Sequence, residues 1–107
     1  MFTRVVELNA KTGKTGELTS TINQKVLPIL RKQAGFVEET VLVGETSPHL
    51  VLAMSFWNTK EDAERYNREQ YPAINEMIRP LLESTPVVQN FSVDTSTSHR
   101  IAAGKAA

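Results

Sequence analysis

Glu39, Arg4 and Trp57 are the residues whose types could support a reaction or the binding of a ligand. A glutamate that lies close to an arginine could orient a phenol or a carbonyl group and help to remove a proton from it. A tryptophan could form a pocket wall that stacks on a flat ligand. The chemistry that these residue types favour is proton transfer on an aromatic molecule.

Trp57 ends a predicted strand, residues 49–57, and a helix start follows it directly. A large aromatic at such a sheet–helix corner marks the place where we expect a pocket. Ser55 and other small residues on its side of the strand would leave room in front of the ring, and Tyr66 and Tyr71 are further candidates for ligand binding. The alternative is that Trp57 packs as a core aromatic and that both tyrosines are core or rim residues.

Glu39 and Arg4 are predicted to meet on one face of the sheet. Pairing within the predicted hairpin places Glu39 near Ala53, and Arg4 would reach across that small residue if the first strand lies beside the third. An unpaired buried carboxylate is costly, so Glu39 must reach water or a partner. The two residues could instead form a structural ion pair or be solvated groups at the sheet edge.

The overall composition excludes several classes of function. The chain has 107 residues, 12 basic and 12 acidic side chains and no cysteine. This charge balance does not favour binding to nucleic acid or to a membrane surface. No thiolate site is possible, and His49 and His99 lie far apart, so we expect no metal site. No apolar run is long enough to span a bilayer and no leader pattern precedes the first strand, so we expect a cytoplasmic protein.

Hydrophobic periodicity predicts an α+β fold with the element order β-α-β-β-α-(α)-β. One amphipathic helix is predicted over residues 15–33, with a bend at Pro28 after Val26, and a hairpin follows over residues 36–57. This order is the ferredoxin-like arrangement, a four-stranded antiparallel sheet with helices on one face. We expect residues 1–94 to form this domain and residues 95–107 to form a polar C-terminal tail.

Both faces of the predicted hairpin are apolar, although helices can cover only one of them. The residues assigned to one face are Val37, Val41, Val51 and Ala53, and those assigned to the other are Phe36, Leu42, Leu52, Met54 and Phe56. The open face therefore needs a second layer, and a two-fold related copy of the same sheet is the simplest one. The alternative is that the tail folds back over this face, with Ile101 as its anchor.

Three short stretches carry a resemblance to a known family. They are Gly35-Phe36 at a strand start, Ser55-Phe56-Trp57 at a strand end, and the helix start at residues 58–63. Residues 1–93 resemble the antibiotic biosynthesis monooxygenase domain of the dimeric α+β barrel superfamily. The resemblance implies a homodimer with its sheets face to face, and a pocket between the sheet and the helices of each subunit.

The family includes cofactor-independent oxygenases of aromatic polyketides, quinol monooxygenases, haem-degrading enzymes and many proteins without assigned activity. Trp57 matches a pocket tryptophan of the haem-degrading members, but Val6 falls near their first-strand asparagine and their helix histidine is missing. The resemblance therefore implies a monooxygenase without cofactor that acts on a quinol or an anthrone-like aromatic. A dimeric binding or stress-response module without catalysis is the alternative.

Overall fold

The fold consists of one four-stranded antiparallel sheet with helices against one face, which confirms the predicted α+β ferredoxin-like class. A computed structural model describes residues 1–101 of the chain. None of the helices in this range is long and apolar enough to cross a membrane. In chain order the elements are β1 (Phe2–Asn9), α1 (Thr15–Thr21), a π-helical turn (Ile22–Val26), α2 (Leu27–Arg31), β2 (Phe36–Val43), β3 (Leu50–Trp57), α3 (Lys60–Glu69), α4 (Tyr71–Ile78), a 3-10 turn (Arg79–Leu81) and β4 (Val87–Ser92).

The strands lie in the order β2-β3-β1-β4, so that β1 and β3 form the centre of the sheet. Val6 pairs with Ala53 and Leu8 pairs with Val51 across these two strands. Because side chains alternate between the two faces of a strand, this register places all four on the face that the helices cover. The covered face is therefore set by the central pair of strands.

The core lies between this covered face and the helices. Leu18 and Leu30 from the first helical segment are fully buried, as are Leu8 and Val51 from the sheet. Burying each of these side chains contributes roughly 1.5–3 kcal/mol relative to leaving it in water. The helical layer is thus held to the sheet by a stripe of aliphatic residues at helical spacing.

The first helical segment differs from the single bent helix that the sequence predicts over residues 15–33. It ends at Arg31, and its irregular part precedes the proline rather than following it, because the π-helical turn comes before Pro28. The N–H of Leu27 donates to the carbonyl of Ile22, five residues earlier. Proline lacks an N–H and its ring crowds the carbonyl four residues before it, so the preceding turn widens.

Phe36 lies on the covered face, not on the open face that the sequence pattern predicts. The register between β2 and β3 shifts between Phe36 and Glu38, which leaves Val37 as an extra residue in the strand. Such a bulge reverses the alternation of side chains on either side of it. The ring of Phe36 therefore packs edge-on against Trp57, with ring centroids 5.6 Å apart.

The first part of the C-terminal tail folds back over the open face of the sheet. Ser96 and Ile101 exchange two backbone hydrogen bonds. The ring centroids of His99 and Phe56 are 5.3 Å apart, and Nε2 of His99 is 2.8 Å from a carboxylate oxygen of Glu38. The tail therefore covers one end of the open face, next to the hairpin.

Candidate functional site

A small cavity between the sheet and the helices brings together five of the six candidate residues. Its volume is about 40 Å³. Its polar lining consists of Arg4, Glu39, Ser55, Tyr66 and Tyr71. The remaining lining residues are aliphatic and come from both layers: Val6, Leu8, Ile22, Val26, Leu30, Ala53, Ile74 and Ile78.

Ser55 on β3 is the residue that separates Arg4 from Glu39. The strand registers place Arg4 opposite Ser55 on one side and Glu39 opposite Ser55 on the other. The sequence predicts Ala53 at this position. The observed partner of Glu39 on β3 is therefore two residues later than the predicted one. The reason is that β3 begins at Leu50 and the hairpin loop is longer than predicted, which shifts the register between β2 and β3. A shift by two residues keeps the same face, so the predicted neighbours remain on one surface.

Arg4 is a buried cation that no carboxylate neutralises within residues 1–101. Its side chain is only 3% exposed, and its Nη2 donates to Oδ1 of Asn67 over 2.8 Å. Its guanidinium carbon lies 4.7 Å from the ring centroid of Tyr71 and 5.4 Å from that of Tyr66. These two ring faces and one amide replace the predicted ion pair with Glu39, which does not form because Ser55 lies between them.

The charge of Arg4 persists at neutral pH. Burial lowers the pKa of its guanidinium from its ordinary value, and the two neighbouring tyrosines oppose this change. A guanidinium in a protein keeps its proton under all ordinary conditions. The cavity therefore has one permanently positive wall.

Glu39 provides a group that titrates near neutral pH on the opposite side of Ser55. Burial raises the pKa of its carboxyl group to about 7. A general base is most effective when its pKa lies close to the working pH. Glu39 meets this condition and faces the same cavity as Arg4.

The two tyrosines remain neutral phenols that complete the polar part of the lining. Burial raises the pKa of both Tyr66 and Tyr71, and the positive charge of Arg4 opposes the change in each. Their ring faces lie against the guanidinium, which is the favourable arrangement for a cation and an aromatic ring. They hold Arg4 in place without neutralising it.

Trp57 supports the cavity from behind and does not line it in this structure. Its side chain is fully buried, and its Nε1 donates to Oγ of Ser55 over 2.9 Å. Its ring is tilted against that of Tyr66, with centroids 5.1 Å apart. Trp57 therefore positions two lining residues, while direct stacking of Trp57 on a ligand stays a prediction.

Asn67 also contacts the guanidinium of Arg4, although the sequence did not indicate it as a candidate residue. It lies on α3, directly after Tyr66, and accepts the hydrogen bond from Arg4. Its position four residues after the buried Ala63 places both on one side of the helix. Asn67 itself is exposed, and its amide beside the buried positions Ala63 and Tyr66 is the sequence signal that could have identified it.

A metal site with several protein ligands is not formed by residues 1–101. No group of three or more histidine, cysteine, aspartate or glutamate side chains in this range lies close enough together to hold a metal ion. His99 contacts Glu38 on the opposite face of the sheet from Arg4 and Glu39. The chemistry available in the cavity is that of one carboxylate, one guanidinium, two phenols and one hydroxyl.

Solved structures similar to this chain share its fold across nearly the whole domain. A monooxygenase from Streptomyces coelicolor in complex with nanaomycin D is 17% identical, with a TM-score of 0.77 and coverage of 89% of this chain and 88% of that chain. SnoaB, a cofactor-independent oxygenase from Streptomyces nogalater, is 18% identical, with a TM-score of 0.77 and coverage of 90% and 95%. NE2512, a protein of unknown function from Nitrosomonas europaea, is 18% identical, with a TM-score of 0.76 and coverage of 96% and 95%.

Identities this low establish a common fold and no more. No curated protein matches the chain. The family model described as antibiotic biosynthesis monooxygenase matches residues 1–73, which include β1, both strands of the hairpin, α3 and the start of α4. With this match over more than half of its length, and with the same fold in its structural neighbours, the chain belongs to the antibiotic biosynthesis monooxygenase family.

Proposed function

We propose that the protein is a cofactor-independent monooxygenase that acts on a small electron-rich aromatic, a quinol or an anthrone-like molecule, between the sheet and the helices. The observation that carries this proposal is the placement of Glu39 and Arg4 on one cavity, on either side of Ser55. Family membership supports it, as do two structural neighbours that are named as a monooxygenase and a cofactor-independent oxygenase.

In this reaction Glu39 takes a proton from the substrate, and Arg4 stabilises the negative charge that develops on the substrate oxygen. The resulting anion transfers one electron to O₂, and the substrate radical and superoxide combine to form a carbon–oxygen bond. Protonation of the peroxide by the Glu39 carboxyl group and loss of water then give a carbonyl. For an anthrone the balance is one CH₂ group and one O₂ converted to one C=O group and one water.

The substrate requires more room than the cavity offers in this structure. A volume of about 40 Å³ holds little more than one water molecule, whereas sites for small organic ligands span roughly 300–1,000 Å³. The π-helical turn supplies two lining residues, Ile22 and Val26, and π-helical turns inside helices frequently occur at functional sites. We therefore place the opening movement in the segment from α1 to α2.

A homodimer is part of the same proposal. The open face of the sheet exposes three large apolar side chains, Leu42, Val87 and Phe91, each nearly half accessible to water. Leu42 lies on the edge strand β2, and Val87 and Phe91 lie on the opposite edge strand β4, so exposed apolar groups occur at both edges of this face. Exposed apolar surface of this kind favours an interaction, and a two-fold axis would bring the same residues together from both subunits. We propose that the two sheets pack face to face through their open faces.

The direct test is oxygen uptake by the purified protein, without added metal or flavin, over a panel of quinols and anthrones. We expect turnover with at least one of them, and a loss of at least about 100-fold in Glu39→Gln, which is the lower end of the range for general base catalysis. Glu38→Gln is the matched control, because Glu38 is the neighbouring carboxylate on the opposite face. Absence of turnover across the panel, or equal turnover in Glu39→Gln, would contradict the proposal.

A binding module without catalysis is the second candidate, and the small volume of the cavity favours it. A closed cavity that admits no aromatic substrate would leave the family fold with a ligand-sensing or structural role. Ligand binding to the wild-type protein without any oxygen uptake, across the same panel, would favour this reading.

A further inference from the structure

A second and much larger space lies next to Arg4, between α3 and β4. This groove has a volume of about 630 Å³. It exists because α3 packs over β1 and β3, while all six residues of β4 remain exposed. The lining residues that matter here are Phe2, Arg4, Asn67, Val88, Asn90 and Ser92.

Arg4 lies between the groove and the small cavity, since it lines both. Asn90 of β4 lies opposite Arg4 in the strand register, on the same face of the sheet. Asn67 is the hydrogen-bond acceptor that the described residues provide for the guanidinium. Most of its five N–H donors therefore have no protein acceptor within residues 1–101.

The rest of the groove suits an organic anion. Its carboxylate, Glu64, lies 3.8 Å from the ammonium group of Lys60, so the two charges offset each other. Phe2 and Val88 supply apolar surface, and Asn90 supplies amide groups at the rim. Arg4 is a largely buried cation with one hydrogen-bond acceptor and two aromatic rings around it, and an anion at the end of the groove would complete its coordination.

We propose that the groove between α3 and β4 binds an aromatic carboxylate, with the carboxylate on Arg4 and the ring against Phe2 and Val88. A guanidinium fork matches a carboxylate in geometry and charge, so this ligand class is favoured over a neutral aromatic of the same size. The proposal concerns binding only and does not depend on the oxygenase reaction. A failure of either one leaves the other standing.

Isothermal titration calorimetry with 2-naphthoate and with 2-naphthamide tests the charge requirement, because the two probes have nearly the same size and shape. We expect naphthoate to bind the wild-type protein at least about tenfold more tightly, as one charge-assisted hydrogen-bonded pair provides. Arg4→Gln is expected to lose roughly 10- to 100-fold in naphthoate affinity and to leave naphthamide binding little changed. Arg68→Gln, which removes an exposed arginine of α3, is the matched control.

A second pair of variants avoids disturbing the buried arginine. Asn90 is exposed, so Asn90→Asp and Asn90→Lys are expected to fold normally. With the charge placed opposite Arg4, the aspartate weakens naphthoate binding several-fold and the lysine strengthens it, while naphthamide affinity stays constant. Equal affinity of the wild-type protein for the two probes, or no effect of either Asn90 variant on naphthoate, would overturn the proposal.

Discussion

The two faces of the sheet differ in where they place polar and apolar side chains. The covered face holds a buried guanidinium and a titrating carboxyl group, Arg4 and Glu39, among aliphatic residues. The open face exposes Leu42, Val87 and Phe91 to water. Packing alone favours the reverse arrangement, with charges in water and apolar groups inside.

Stability alone does not explain this arrangement of polar and apolar side chains in the single chain. Buried charges without ion-pair partners reduce stability, so their presence on the covered face supports the proposed chemical role. The exposed apolar residues on the open face support the proposed second layer there. The neighbours Glu38 and Glu39 show the contrast within two residues, because one lies on each face.

The largest difference in stability is expected between two aspartate substitutions at neighbouring positions of β3, one on the covered face and one on the open face. Val51→Asp buries a carboxylate in the core and is expected to destabilise the fold by more than about 4 kcal/mol, so that no folded protein is recovered. Leu52→Asp, on the open face, is expected to give folded protein of half the assembled mass. Circular dichroism and analytical ultracentrifugation distinguish the two, and an intact dimer in Leu52→Asp would contradict the proposed interface.

Adjacent aromatics provide the next comparison. Trp57→Leu removes a fully buried ring that packs on Phe36 and Tyr66, and leaves Oγ of Ser55 without its donor. We expect a loss of roughly 2–4 kcal/mol in the free energy of unfolding, measured by urea denaturation. Phe56→Leu on the open face is the control, with an expected loss of about 1 kcal/mol. Similar losses in both variants would remove the distinction between the faces.

The third comparison depends on pH. Because burial raises the pKa of Glu39 from 4.5 to about 7, the folded state keeps a proton that the unfolded chain releases. The free energy of unfolding should therefore fall as pH rises from about 4.5 to 7 and stay level above that. Glu39→Gln is expected to exceed the wild type by roughly 1–3 kcal/mol above pH 7, and to equal it below pH 4.

Urea denaturation of both proteins from pH 4 to pH 9 measures this difference, with Glu38→Gln as the control. A constant difference across the whole range would show that Glu39 does not titrate between 4.5 and 7. In the proposed reaction the same ionisation gives turnover that rises with pH up to about 7 and then levels off, because the base is the carboxylate form.

The smallest effect is expected at the tail. His99→Ala removes the contacts with Glu38 and Phe56, and partly exposed pairs of this kind contribute up to about 1 kcal/mol. We expect little change in the unfolding midpoint but faster tryptic cleavage after Arg100, with cleavage after Arg68 as the reference. An unchanged rate at Arg100 would mean that His99 does not hold the tail on the sheet.

Sequence patterns were enough to predict the element order and the fold class, and five of the six candidate residues chosen from them line one cavity. Periodicity placed Arg4 and Glu39 on the same face of the sheet. The error of two residues in the predicted strand register did not change this, because a side chain shifted by two residues stays on the same face. The helix start directly after Trp57 was also predictable, and in the structure Thr59 caps this helix by accepting a hydrogen bond from the N–H of Asp62. These features follow from spacing along the chain.

The contacts that these residues make could not be predicted without the tertiary structure. The bulge at Val37 places Phe36 on the covered face. Arg4 and Glu39 lie on opposite sides of β3, with Ser55 between them, and therefore do not form an ion pair. Asn67 and two tyrosine rings took the place of that pair. Such partners come from residues more than fifty positions apart, and no local pattern encodes how far an arginine side chain reaches between two packed layers.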